Sequence, residues 1–161
     1  MPDDTVVIAT FITALGCGLV GGVFFAFSTF IMSALGRLPA QAGIAAMQAI
    51  NIAVITPLFM LALFGTGMAG LFLAGYALIG AGNPDAPYLL IGGLLYFLGN
   101  VVVTIVFNVP RNNALARVQP ASADAAPVWA DYLVTWTRWN HVRTVTALAA
   151  AVVLTLTLLT S

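Results

Sequence analysis

The sequence predicts an all-α integral membrane protein: a four-transmembrane-helix bundle with short amphipathic lead-in helices on the cytoplasmic side, forming one domain over residues 1–161. The chain is 61% apolar and only 6% charged, whereas soluble domains are nearer half apolar and about a quarter charged. A small soluble domain has too little interior to bury so many apolar side chains. A spanning helix takes about 20 apolar residues, so this length accommodates four spans and short loops.

The first two spans are predicted over residues 6–32 and 51–78. Pro39 is expected to begin a short amphipathic lead-in helix, because proline suits the first position of a helix. Pro57 falls inside the second span and is expected to kink it, because proline lacks a backbone N–H. The composition of residues 80–87, GAGNPDAP, then indicates a turn,.

The third span is predicted over residues 88–107 and is followed by a polar stretch over 108–131. The fourth span is predicted over 142–159, with an aromatic lead-in over 129–141. Asn100 lies near the middle of the third span, where a buried amide is costly unless it is hydrogen-bonded. We therefore expect Asn100 to link two helices.

The arginines predict the orientation in the membrane. Arg37 lies between the first two spans, and Arg111, Arg117, Arg138 and Arg143 lie between or at the borders of the last two. Loops rich in Lys and Arg stay in the cytoplasm. The sequence therefore predicts a multi-pass protein of the cell (plasma) membrane, with both termini outside and the arginine-bearing loops inside.

Composition and net charge also exclude some classes of ligand and partner. The net charge is zero, so nucleic acid is not an expected partner. Cys17 and His141 are single residues of their types, which gives no Cys–His metal cluster. We expect no metal and no cofactor, and lipophilic small molecules and membrane lipid as partners. The glycine-rich helix faces, including the GxxxG pair Gly18 and Gly22, indicate close helix packing and leave a homo-oligomer open,.

Polar side chains gather at the predicted cytoplasmic ends of the spans. Ser28 lies near the end of the first span and Asn51 begins the second. Residues on one helical face follow at the last two ends, because positions three, four and seven apart are neighbours on a helix: Asn108 and Asn112, then Trp136, Trp139, Asn140 and Arg143. The walls of such a pocket would be apolar, formed by Phe24, Phe25, Phe27 and Met47.

Two interpretations of this cluster stay open. It forms a binding pocket, or it is the ordinary polar boundary of a membrane protein, where Trp and Arg act as anchors. His141 carries the only side chain whose unperturbed pKa lies near neutral,. It is the best candidate for a general base, and the alternative is a solvated residue at the interface.

Four stretches carry a resemblance to a known family: GGVFFAFSTFIMSAL (21–35), AAMQAINIAVITPLF (45–59), FNVPRNNAL (107–115) and WTRWNHVRT (136–144). They resemble the anthrone oxygenase-like membrane family, whose bacterial members are mostly catalogued as a domain of unknown function. By this resemblance the motif positions fall on Ser28, Met47, Asn51, Asn108, Asn112, Trp139, Asn140 and Arg143.

The resemblance implies an oxidoreductase that converts an anthrone- or quinol-like compound with O2 and without a cofactor. His141 would be the base, and Asn108, Asn112, Asn140 and Arg143 would stabilise the developing oxyanion. Aromatic side chains would sandwich the substrate rings: Trp136, Trp139, Phe24 and Phe25. The alternative is a non-enzymatic membrane protein that binds a lipophilic molecule or lipid, or a transporter component. Ion-coupled transport is disfavoured because the spans contain no Asp, Glu or Lys,.

Overall fold

The computed structural model describes residues 4–80 and 84–160, and it is helical throughout these ranges apart from short connections. Its five helices are α1 (Asp4–Gly36), α2 (Ala40–Ala53), α3 (Pro57–Ile79), α4 (Ala86–Ala116) and α5 (Ala125–Thr160). All except the short α2 are long and apolar enough to cross a membrane. The four-helix fold class predicted from the sequence is therefore confirmed, as is a lead-in helix before the second span.

The second span begins later than predicted. It starts at Pro57, and the hydroxyl of Thr56 accepts a hydrogen bond from the Phe59 N–H at 3.3 Å. Proline suits this first position, where its missing N–H would have no helical partner. Pro57 thus starts the span rather than kinking it, and Asn51 belongs to the lead-in helix α2.

The last two spans also differ from their predicted bounds. Residues 125–160 form one continuous helix of 36 residues, so the aromatic segment 129–141 is not a separate lead-in. This helix is about 54 Å long at about 1.5 Å per residue, well beyond an apolar core of about 30 Å. In α4 a wide turn precedes Pro110, with the Val109 N–H bonded to the carbonyl of Thr104, and the helix continues past residue 107.

The turn predicted over residues 80–87 lies partly outside the described residues, at 81–83. On either side, Gly80 ends α3 through a hydrogen bond from its N–H to the carbonyl of Tyr76 at 3.1 Å. The carbonyl of Asp85 accepts from the N–H groups of Tyr88 and Leu89 and begins α4.

The bundle core is built on close contacts between helices. Gly70 of α3 and Gly93 of α4 bring two backbones together, and a Cβ on Gly93 would collide with the Gly70 carbonyl. Asn100 is fully buried and donates a hydrogen bond to Thr146 of α5 at 3.1 Å, as predicted for a residue that links helices. Gly18 and Gly22 instead face open space, so this GxxxG pair packs no helix within the described monomer.

Candidate functional site

A cavity of about 460 Å³ opens at the end of the bundle where α1 and α4 end and α3 begins. Small-molecule sites commonly occupy about 300 to 1,000 Å³. Most of the wall is apolar, and α2 closes one side of it with Met47, Gln48 and Asn51. The remaining polar groups come from α4 and α5: Thr104, Asn108, Asn112, Asn113, Trp136 and Arg143.

Arg143 is the charged side chain of this cavity and is only 4% exposed. Its Nη1 donates to the Thr104 hydroxyl at 3.1 Å and its Nη2 donates to Asn140 Oδ1 at 2.8 Å. The guanidinium carbon lies 4.0 Å from the centre of the Phe24 ring and 5.1 Å from that of Trp136. Ring faces attract such a cation, so the guanidinium is held in one orientation. Its Nε is buried and has no hydrogen-bond partner among the described residues.

No described carboxylate forms an ion pair with Arg143. Asp131 precedes it by twelve positions on the same helix, which corresponds to about 18 Å at about 1.5 Å per residue. Arginine stays protonated in proteins. The cavity therefore contains a permanent positive charge that, among the described residues, only dipoles and ring faces compensate.

Asn140 positions the guanidinium. Its amide nitrogen donates to the carbonyl of Phe24 at 2.8 Å and to the hydroxyl of Ser28 at 2.7 Å. Both donations leave the amide oxygen to accept from Arg143. The Ser28 hydroxyl lies 2.9 Å from that of Thr144, so this network ties α1 to α5 directly behind the cavity.

Two further amides have constrained orientations. Asn112 Oδ1 accepts from the Tyr132 hydroxyl and from Trp136 Nε1, both at 2.8 Å, and its NH₂ group has no partner among the described residues. Asn108 donates to the carbonyl of Trp136 at 3.3 Å, while its Oδ1 is buried without a described partner. Three cavity residues thus carry a buried polar atom without a described hydrogen-bond partner: the donors Arg143 Nε and Asn51 Nδ2 and the acceptor Asn108 Oδ1.

Gln48 joins α2 to the end of α4 by hydrogen bonds beside the cavity. Its amide nitrogen donates to the carbonyl of Leu115 at 2.8 Å and to that of Val118 at 3.0 Å. The last carbonyls of a helix have no partner within the helix, so the end of α4 provides ready acceptors. The cavity wall from α2 is therefore anchored by a side chain rather than by chain connection alone.

The structure brings most of the predicted site residues together. Eight of them line the cavity: Phe24, Phe27, Met47, Asn51, Asn108, Asn112, Trp136 and Arg143. Ser28 and Asn140 lie immediately behind Arg143 and support it through the hydrogen bonds described above.

Three predicted residues do not reach the cavity. Phe25 is 51% exposed on the outer surface. Trp139 stacks on Phe107 at a centroid distance of 3.5 Å and does not line the cavity. His141 is exposed, because successive residues on a helix point about 100° apart and Asn140 and Arg143 face inward. The structure therefore does not place the expected general base in the cavity.

The sequence analysis missed Thr104, Gln48 and Tyr132. Thr104 precedes Asn108 by one helical turn, and Tyr132 precedes Trp136 by the same interval, so the spacing i, i+4 would have found both. Gln48 gave a weaker signal, because the end of α4 that it contacts was predicted to be a loop.

Residues 58–153, more than half of the chain, match the family model described as "Anthrone oxygenase". The matched segment contains Thr104, Asn108, Asn112, Trp136, Asn140 and Arg143, whereas Phe24, Ser28, Met47 and Asn51 precede it. Comparison with curated proteins and with solved structures gives no match.

Proposed function

Because the chain belongs to the anthrone oxygenase family, we propose that it is a membrane-embedded oxygenase-like enzyme acting on a lipophilic aromatic compound of the anthrone or quinol type. The observation that carries this proposal is the cavity, in which one buried guanidinium faces an otherwise apolar and amide-lined space. Such a site suits a flat, apolar molecule with one acidic oxygen. Membership in the family supports the use of O2 as oxidant.

The chemistry needs little from the protein. An anthrone has a CH₂ group flanked by two aryl rings and conjugated through them with a ketone, so loss of one proton gives an enolate. The enolate passes one electron to O2, and the resulting radical and superoxide combine to form a C–O bond. The resulting peroxide anion takes a proton from water to give the hydroperoxide, which then loses its remaining C–H proton and hydroxide, together one water, to give the second ketone. One anthrone and one O2 thus yield one anthraquinone and one water.

The cavity residues fit the first of these steps. Arg143 and the NH₂ group of Asn112 would stabilise the enolate oxygen, as preorganised donors stabilise charge in a site that excludes water. The Phe24 and Trp136 rings would contact the faces of the substrate. Binding the enolate in this way favours the ionised form, which is the form that reacts with O2.

The open side of the cavity supports access from the membrane. Ile52 and Ile55, which lie at the α2–α3 connection, line the cavity and are 75% and 69% exposed. Exposed isoleucines at the mouth would contact lipid rather than water in a membrane-spanning chain. A lipophilic substrate, or a membrane lipid in the alternative function, would therefore enter sideways at the membrane–water interface, where an acidic proton can still pass to water.

A second function is a non-enzymatic binder of a lipophilic anion. The observation in its favour is that no carboxylate or imidazole lines the cavity among the described residues. Such a protein would hold its ligand without oxidising it. The two functions share one site and differ only in turnover.

Oxygen consumption separates these functions. The purified protein in detergent is given 1,8-dihydroxyanthrone, and O2 uptake and quinone absorbance are followed together. If the protein is an oxygenase, it should consume O2 and form quinone in equal amounts. Its rate should be higher than that of the Arg143→Met variant. The matched control is Arg138→Met, which removes an exposed arginine of the same helix and should keep the wild-type rate. Saturable binding without a rate above the spontaneous oxidation would identify the binder.

A further inference from the structure

The buried charge of Arg143 determines which class of ligand the cavity favours. Its charge is buried and has no counter-ion among the described residues. A buried charge without a partner is costly, and its Nε donor adds an unmet hydrogen bond. A neutral ligand would leave this charge uncompensated, whereas an anion in the cavity would compensate it. The electrostatics therefore favour a monoanionic ligand.

The groups around Arg143 offer no base to generate that anion in place. The described residues of α1, α2 and α3 that line the cavity carry no titratable side chain. On α5 the Tyr132 hydroxyl is a donor to Asn112, and His141 lies on the outside. On α4 Arg111 caps the carbonyl of Phe107 at 2.7 Å and is a cation. Asn108 Oδ1 accepts a hydrogen bond but does not take up a proton.

We infer that the cavity takes its substrate as a preformed monoanion, a phenolate or enolate whose proton has already gone to water, and that no side chain acts as general base. The inference gives the substrate class of the proposed function and rests on it for the reaction that follows. It assigns Arg143 the role of selecting the ionised form. The proton balance closes with water alone: one proton leaves to solvent before the anion enters, one returns from water to the peroxide anion, and the remaining C–H proton leaves with hydroxide as water. No protein group has to be reset.

This arrangement has a defined pH dependence. Binding should strengthen as the pH rises through the pKa of the ligand and then level off, since only the anion is selected. The same preference lowers the pKa of a bound phenol below its value in detergent alone. If a side chain acted as general base, the pH dependence would instead follow the pKa of that protein group, whichever ligand was bound.

The test uses 2-hydroxyanthraquinone, a flat tricyclic phenol that has no CH₂ to oxidise and whose phenolate absorbs at longer wavelength. Its absorbance is titrated against pH with wild-type protein, Arg143→Met and the control Arg138→Met. We expect the pKa of the bound probe to fall by at least one unit, a tenfold preference for the phenolate, in wild type and Arg138→Met but not in Arg143→Met. Equal pKa values in wild type and Arg143→Met would overturn the inference.

A second comparison needs only wild-type protein and is independent of how any variant folds. The methyl ether of the same probe cannot ionise, and above the pKa of the phenol it should bind at least tenfold more weakly. Equal affinity for the phenol and the ether would overturn anion selection. Neither probe is oxidised, so this test does not depend on turnover. A lowered pKa of the bound probe in a protein that does not oxidise anthrone would support this inference and contradict the oxygenase function alone.

Discussion

Asn140 accepts a hydrogen bond from Arg143, one turn further along α5, at 2.8 Å, while its amide nitrogen is bound to the carbonyl of Phe24 on α1. The guanidinium is thus oriented by a residue that also joins two helices. Orientation and helix packing are coupled at this position, and a change at either residue should affect both.

Asn140→Ala should weaken binding of the phenolate probe at least fivefold and lower the melting temperature. The variant removes the acceptor for Arg143 and leaves the Phe24 carbonyl and Ser28 without their described donor, and such losses cost about 1–3 kcal/mol when buried. Absorbance titration and thermal unfolding in detergent measure the two effects. Gln119→Ala, at an exposed amide, is the control. A folded Asn140→Ala protein with wild-type affinity would contradict the positioning role.

Arg143→Lys distinguishes a binding group from a membrane anchor. Lysine retains the charge, but its three N–H donors lie on one tetrahedral nitrogen. It therefore cannot reach Thr104 and Asn140 from two separate nitrogens, as the planar guanidinium does. We expect at least a fivefold loss of probe affinity, measured by the same titration. Arg138→Lys should have no effect. Wild-type affinity in Arg143→Lys would show that charge alone suffices.

His141→Ala should leave both probe affinity and the rate of anthrone oxidation within twofold of wild type. The imidazole is exposed and lies outside the cavity, so its removal changes no contact with a bound ligand. Rates measured across pH 5–9 are the check, because a catalytic histidine would titrate in this interval. A tenfold fall in rate would restore His141 as the base.

Gly93→Ala should destabilise the bundle, because the added Cβ meets the backbone carbonyl of Gly70 and neither helix has a flexible side chain there to yield. Overpacking of a core costs about 1–3 kcal/mol. Gly18→Ala is the matched control, since a Cβ at Gly18 meets nothing within 4 Å. Thermal unfolding in detergent compares the two, and equal melting temperatures would argue against this helix contact.

The orientation predicted from the arginines remains a proposal for experiment. A reporter that is active only in the cytoplasm, fused after Ser161, should give no signal if both termini lie outside. The same reporter inserted near Arg117, in the connection between α4 and α5, should be active. The reverse pattern would invert the membrane orientation while leaving the bundle unchanged.

The sequence by itself determined the number of spans and most of the cavity residues. Apolar runs long enough to cross a bilayer leave few alternatives to helices, because every backbone polar group in lipid must be bonded within its own segment. The i, i+4 spacing of Asn108 and Asn112, and the i, i+7 spacing of Trp136 and Arg143, placed these pairs on common faces. Both the apolar runs and the helical spacings depend only on nearby residues. They therefore hold even where the predicted helix bounds are wrong by several residues.

Only the tertiary structure decided which polar groups are satisfied and which remain unpaired. His141 and Asn140 are adjacent in sequence, yet one is exposed and the other fully buried, because the rotation of α5 depends on how α1 and α4 pack against it. The same packing joins Arg143 to Thr104 and leaves its Nε without a described partner. Spacing along a helix defines a face, but contacts from other helices define what that face can bind.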